Sequence, residues 1–258
     1  MENLMSDIYF VGLGLSKRFL TNASLEVMKN SDVIYADVYT SISCDLNEKT
    51  LREITGKDII PASREMLETR EKEIYKLLDS GKRVVIAVVG DPMIATTHVS
   101  LATGARARGH RVNVIPGVSV HCYMISRSML SSYKFGKSVT VTFPVLDKLD
   151  YTPYRVIKSN REQGLHTMVY LDLKETGVMT ADLALAYLRK MESDIGEKVI
   201  LDDDLVVIGE RLGCQDESVR AMKISDALNQ KFGAPPHIII VPSRNLYEME
   251  IEGLKCLS

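Results

Sequence analysis

Val84-Val-Ile-Ala-Val-Val-Gly-Asp-Pro92 is a run of six apolar residues, five of them β-branched, closed by a glycine and an Asp-Pro pair. A run this short, bounded by turn residues, reads as a strand buried on both faces, the environment of a parallel sheet flanked by helices. The neighbouring segments repeat the same grammar. Upstream, Ile8-Tyr-Phe-Val11 is a strand that ends in Gly12-Leu-Gly14-Leu15. A helix is predicted over 20–30 and a second strand over Val33–Ala36. Residues 64–79 carry Leu67, Ile74, Leu77 and Leu78 at a helical period that stops before Gly81. Downstream come a helix near 97–108, a strand near 112–115, the turn Pro116-Gly-Val-Ser119 and a further helix. Strand, glycine-bearing turn and helix in repetition describe a βαβ series and an α/β fold.

The second half changes character. Ser138-Val-Thr-Val-Thr-Phe143 alternates like a half-exposed strand, and Pro144 to Pro153 is polar and reads as a linker or long loop. Strands are expected over 166–173, 204–209 and 237–241. Thr180 is placed to cap a helix carrying Leu183, Tyr187, Leu188 and Met191 on one face. A short helix is expected over 223–231. These readings give two α/β domains, 1–140 with the glycine-bearing loops and 141–258.

Composition narrows the function classes. The chain has 258 residues, 45% of them hydrophobic, and a net charge of −2. Near-neutral charge argues against sequence-independent nucleic-acid binding, which needs a basic surface. The longest apolar runs fall far short of the roughly 20 residues of a membrane helix. The opening MENLMSD lacks the basic and apolar regions of a secretory signal, which predicts a cytoplasmic protein. Four cysteines (44, 122, 214, 256) and five histidines (98, 110, 121, 166, 237) lack metal-ligand spacing, so no metal is expected. Neither a Gly-x-Ser-x-Gly elbow nor a Gly-x-x-x-x-Gly-Lys phosphate loop is present.

In an open α/β sheet, ligands settle beyond the carboxyl ends of the strands. Three consecutive loops fall there, at Gly12–Leu15, Gly90–Ile94 and Pro116–Val120. Glycine lets backbone approach a ligand closely because no Cβ intervenes. Gly12-x-Gly14 is not a dinucleotide fingerprint, because Lys17 stands where the third glycine belongs. One carboxylate (Asp91), a small hydroxyl (Ser119), several backbone groups and apolar flanks (Leu15, Ile94, Val120) suit a ligand with a cationic part, hydrogen-bonding groups and a flat ring. S-adenosylmethionine meets that description, and many other nucleotides would fit as well.

Tyr9-Phe-Val-Gly-Leu-Gly-Leu15, Gly90-Asp-Pro92 with Ala95-Thr-Thr-His98, and Ile115-Pro-Gly-Val-Ser119 resemble the tetrapyrrole methylase superfamily. A fuller set resembles its diphthine synthase branch. That set comprises Tyr35-Ala-Asp-Val-Tyr-Thr-Ser41, Tyr133-Lys-Phe-Gly-Lys137, Gly164-Leu-His-Thr167 with Leu171-Asp-Leu173, and Phe232-Gly with Pro235-Pro-His-Ile-Ile-Ile-Val-Pro242. The likeness runs from about residue 8 to 245. It implies two α/β domains with the cofactor in the cleft between them, and a homodimer. It implies methylation, by S-adenosylmethionine, of the amine on the 3-amino-3-carboxypropyl histidine of translation elongation factor 2. By position in the motifs, cofactor contacts fall on Leu15, Asp91, Ile94, Ser119, Val120, Leu171, Leu212 and His237. At Glu210-Arg-Leu-Gly213 this chain departs from the family's usual Ala-Arg-Ala-Gly, and the larger Leu212 would narrow an adenine slot. No long insertion stands near residues 174–178, as in archaeal-type members.

Each of these residues also has a plainer use. Asp91 and Ser119 could cap the helices that follow them, and a lone histidine opening an apolar strand, such as His237, usually serves structure. His110 in Arg106-Ala-Arg-Gly-His-Arg111 reads as part of a solvated basic turn. That turn, or Lys134 and Lys137 with Arg155, Lys158 and Arg161, could face an acidic protein partner. No catalytic residue is assigned. An α-amino group with a pKa near 8 costs only roughly 1–1.5 kcal/mol to deprotonate at pH 7, so a dedicated base is optional. The alternative within the superfamily is methylation of a tetrapyrrole or of ribosomal RNA, with no direct nucleic-acid contact expected in the first reading.

Overall fold

The computed structural model describes residues 5–37, 42–174 and 177–258. Val38 to Ser41 of the Tyr35–Ser41 motif, and Glu175 and Thr176, lie outside the described residues. The chain divides into two compact units, Met1–Val120 and His121–Ser258.

The first unit runs β1 (Asp7–Gly12), α1 (Asn22–Lys29), β2 (Val33–Asp37), α2 (Glu48–Thr55), β3 (Ile59–Ala62), α3 (Arg64–Glu68), α4 (Glu71–Asp79), β4 (Val84–Val88), α5 (Val99–Ala107) and β5 (Arg111–Ile115). Its five strands are all parallel, in the order β3-β2-β4-β1-β5. The continuous apolar run is explained by two-sided burial. Val84, Ile86 and Val88 pack with Ile8, Phe10 and Leu101, while Val85, Ala87 and Val89 pack with Val11, Leu13 and Ile34. Because β1 is flanked by β4 and β5, the carboxyl ends of all three strands, and the loops they feed, lie side by side.

The predicted helix over 64–79 is two helices, broken where the Thr69 and Arg70 amides both bond back to the Glu65 carbonyl. The structure adds α2, whose eight residues hold only two aliphatic side chains, and β3, a four-residue strand that contains Pro61.

The second unit begins with α6 (Val120–Arg127), whose first residue is the last of the first unit. It continues through β6 (Val139–Val141), α7 (Thr152–Glu162), β7 (Thr167–Leu171), β8 (Leu173–Lys174), β9 (Gly177–Val178), α8 (Ala181–Ile195), β10 (Leu205–Glu210), β11 (Ser218–Lys223), α9 (Ile224–Leu228), β12 (His237–Val241) and α10 (Glu248–Lys255). Its sheet is mixed, in the order β11-β10-β12-β7-β6, and β8-β9 form a separate hairpin. Tyr154 and Ile157 of α7, with Leu185 and Leu188 of α8, pack on Val169, Ile208 and Ile239 of the sheet.

The division falls about twenty residues before the boundary at 140 read from sequence. The reason is packing: Met124 of α6 is wholly buried, and a Cβ on Gly209 of β10 would lie 2.9 Å from its sulfur. Helix α7 starts inside the stretch read as a linker. Pro153 sits in its first turn, where a missing N–H breaks no helical bond. Thr180 precedes α8, but its side chain makes no capping bond. Strand β11 and helix α10 were also not legible in the sequence. Among the described residues, no helix is long and apolar enough to cross a membrane.

Candidate active site

The three glycine loops of the first unit meet at backbone contact. A Cβ built on Gly12 would stand 2.7 Å from both the Gly117 Cα and the Gly90 carbonyl oxygen. One on Gly117 would stand 2.9 Å from the Gly12 Cα and closer still to the Gly90 carbonyl. Gly14 and Gly90 exchange amide-to-carbonyl bonds of 3.2 and 2.8 Å. Gly90 adopts φ +85°, a conformation that favours glycine, and a Cβ there would find open space, with Ser119 Cα the nearest atom at 3.8 Å. The loops therefore close on one another on one side and leave room beside Gly90 on the other.

Asp91 joins two of these loops. Its Oδ1 accepts from the Met93 amide at 2.9 Å, and its Oδ2 accepts from the Gly117 amide at 3.3 Å. The carboxylate is only partly buried and has lone pairs left for hydroxyl or ammonium donors. Leu15 and Ser119 are buried, Val120 half-buried and Ile94 42% exposed. Next to Ile94, Ala95 takes φ +57°, rare for a residue with a Cβ. The Pro92 carbonyl just before it accepts from the Thr96 hydroxyl at 3.0 Å and bonds His98 Nδ1 at 2.8 Å.

The remaining sequence-predicted residues gather at one end of the second sheet. Glu210 pairs with His237, and the β12–β7 register, extended by two residues, sets Leu171 opposite His237. Leu212 follows β10 at the same end, 6% exposed, and its Cδ1 would lie 3.0 Å from a Cβ on Gly209. The His237 ring is engaged within its own unit. Its Nδ1 accepts from the Ala181 amide at 3.2 Å, and its Nε2–H donates to the Gly233 carbonyl at 3.1 Å. Both ring nitrogens are consumed and burial lowers its pKa, so the ring is neutral and can meet a ligand only through its main chain.

Several surface readings also change. His110 is buried, with Nε2 3.0 Å from Asp79 Oδ1, rather than part of a solvated turn. Lys134 is buried on Glu250 Oε2 at 2.7 Å, and Arg161 on Asp204 Oδ2 at 2.7 Å. Neither cation faces outward to a partner. His166 donates from Nε2 to Glu250 at 2.9 Å, while its Nδ1 accepts from the Ser243 amide. The Tyr133–Lys137 and Gly164–Thr167 motifs thus anchor α10.

Sequence reasoning missed the pair His121–Tyr170, in which Nδ1 and the hydroxyl are 2.7 Å apart. Burial lowers the His121 pKa and pushes the Tyr170 hydroxyl up to about 12. These residues adjoin Val120 and Leu171 in sequence, but no local pattern couples them. Among the described residues, no group of three His, Cys, Asp or Glu could hold a metal ion.

A model of the Tetrapyrrole (Corrin/Porphyrin) Methylases matches residues 7–228. The chain belongs to the tetrapyrrole methylase family, on its diphthine synthase branch. Within that family it is 91% identical over 254 residues to a diphthine synthase of Metallosphaera sedula, covering 98% of this chain and all of that one. A diphthine synthase of Saccharolobus solfataricus is 52% identical over 253 residues, 97% of this chain and 98% of the relative. A crystal structure of diphthine synthase matches with a TM-score of 0.89 at 31% identity, covering 98% of this chain and 96% of the other. A tetrapyrrole methylase is a methyltransferase, so the glycine loops belong to a methyl-transfer enzyme.

Proposed function

We propose that this chain transfers methyl groups from S-adenosylmethionine to the amine of the 3-amino-3-carboxypropyl histidine on translation elongation factor 2, in diphthamide biosynthesis. The observation that carries this reading is the 91% identity to a diphthine synthase across nearly the whole chain. The convergence of Gly12, Gly90 and Gly117 supports it, as does the absence of close contacts around the Cβ position of Gly90. The proposed contacts are Leu15, Asp91, Ile94, Ser119 and Val120 in the first unit. In the second unit they are Leu171, Leu212 and the main chain of His237. The protein works in the cytoplasm as a homodimer, and its protein substrate is the elongation factor.

S-adenosylmethionine, when bound, offers an electrophilic methyl on a sulfonium that is already a good leaving group. The chain's own task is to hold the acceptor nitrogen in line with that methyl, at about 3–3.5 Å between reacting atoms. Asp91, fixed by the Gly117 and Met93 amides, sets a carboxylate with open acceptor positions at the loop tips. Leu15 and Val120 supply apolar surface beside the glycine loops. The acceptor amine must be neutral, and solvent can take its proton at the small cost given above.

The test is incubation of the purified chain with methyl-labelled S-adenosylmethionine and elongation factor 2 bearing the carboxyaminopropyl histidine. Label on the factor is expected. Label appearing instead on ribosomal RNA or a tetrapyrrole overturns the reading. The net charge of −2 also speaks against an RNA substrate.

A further inference from the structure

His98 is buried in the first unit, close to the loop that carries Asp91. Its Nδ1 lies 2.8 Å from the Pro92 carbonyl oxygen. A carbonyl only accepts, so Nδ1 carries a hydrogen and donates it. The ring's other nitrogen faces the end of β2. Nε2 makes no aligned hydrogen bond and stands 3.2 Å from Asp37 Oδ2, with the two side chains 1% and 0% exposed. That distance sets the edge of the imidazole directly against the Asp37 carboxylate in a dry interior. The Phe10 ring, centred 5.9 Å from the imidazole, closes one side of the site.

The segment that His98 ties down would not hold its shape alone. Between Pro92 and His98 the chain passes through Ala95 at φ +57°, a conformation that costs free energy for a residue with a Cβ. The Thr96 hydroxyl and His98 Nδ1 both bond the Pro92 carbonyl, drawing the return of the loop onto its start. Asp91 immediately precedes that carbonyl. Its carboxylate reaches the Gly117 amide at the long distance of 3.3 Å, so a small rotation of the Pro92 peptide would break the link between the β4 and β5 loops.

We propose that His98 is a positioning residue for cofactor binding: braced on Asp37, it fixes the Pro92 carbonyl and, through it, the direction of the Asp91 carboxylate. This rests on the reading of Asp91 as a cofactor contact. It gives the Ala95–His98 motif a role distinct from touching ligand. It also explains a buried polar pair at the end of β2, a place where a hydrophobic pair would pack without desolvating polar groups.

The experiment measures S-adenosylmethionine affinity by calorimetry, with thermal stability measured alongside, for full-length variants. His98→Asn keeps a donor for the Pro92 carbonyl and loses Asp37. His98→Gln keeps a donor toward Asp37 and loses the carbonyl. The expected result is a Kd within about threefold of the parent for His98→Asn and about tenfold or more weaker for His98→Gln, the loss of one buried hydrogen bond. KM for the cofactor should rise with kcat at saturation little changed. In the background of Asp91→Ala, which should itself weaken binding, His98→Gln should add nothing further. Equal affinities for the two His98 variants, or additive losses with Asp91→Ala, overturn the proposal. An unchanged Kd for Asp91→Ala alone identifies a separate failure, that of the Asp91 reading, and the proposal falls with it.

Discussion

The Gly117 amide donates to Asp91 Oδ2 at 3.3 Å, so one carboxylate ties the loop after β5 to the loop after β4. The bond is possible because neither Gly12 nor Gly117 has a side chain to separate the loops. Its consequence is that Asp91 combines two functions, a structural clasp and a negative charge at the strand tips.

Asp91→Ala removes both, whereas Asp91→Asn loses the charge and keeps an acceptor for only one of the two amides. Asp91→Ala should weaken S-adenosylmethionine binding by about tenfold to a hundredfold and leave the domain folded, since the carboxylate lies at a partly exposed loop and not in the core. Asp91→Asn should fall between the parent and Asp91→Ala. Titration calorimetry reads the affinities, and a matching far-ultraviolet melting curve checks the fold.

Gly117→Ala and Gly12→Ala should each destabilise the first unit by roughly 1–3 kcal/mol or more, because a methyl must push two backbones apart. Gly177→Ala serves as the control: its added Cβ meets nothing within 4 Å. Urea unfolding midpoints should drop for the first two and stay near the parent for the third. A neutral Gly117→Ala would mean that the loops do not touch.

His237→Ala should lower stability, because the Ala181 amide and the Gly233 carbonyl lose their buried partner. At a temperature where the variant stays folded, cofactor affinity should remain within about twofold of the parent, a shift well below that of one lost hydrogen bond. A large loss of affinity with intact structure would show that the ring itself contacts the ligand.

Acid should unfold the second unit through Glu250 and His166. Burial alone would raise the Glu250 carboxyl, but the Lys134 ammonium, the Tyr247 and Ser131 amides and His166 together pull it down to about 2 from 4.5. Because the folded value is the lower one, the stabilisation is complete above about pH 4.5 and is lost as pH falls toward 2. A shift of that size is worth on the order of 3 kcal/mol. Burial holds His166 below its usual 6.5, outweighing the opposing pull of Glu250, so its contribution to stability starts to fall below that pH. Denaturation monitored from pH 7 to 3 should show a progressive loss, and Glu250→Gln should be less stable at pH 7 with a flatter acid limb.

Much of the first unit was legible because its signals are local. The Val84–Val89 run announces a strand buried on both faces, Gly12 closes β1, and Gly90 and Gly117 each follow a strand by two residues. The expectation of an α/β fold with a parallel sheet rested on these features, and the sheet and the family bear it out. Helix α7 was hidden because Pro153 reads as a breaker everywhere except in a first helical turn. Lys134, Arg161 and His110 read as surface residues because their carboxylate partners are distant in sequence.

By itself, then, the sequence determined the alternation of strand, glycine turn and helix through most of the first unit, and the motifs of a methylase. Those follow from periodicity and backbone freedom within a few residues. Only the tertiary structure decided that β1 lies between β4 and β5, that both nitrogens of His237 are spent on backbone, and that His98 spans Pro92 and Asp37. Such contacts depend on how whole strands and helices pack, and no window of neighbouring residues carries that information.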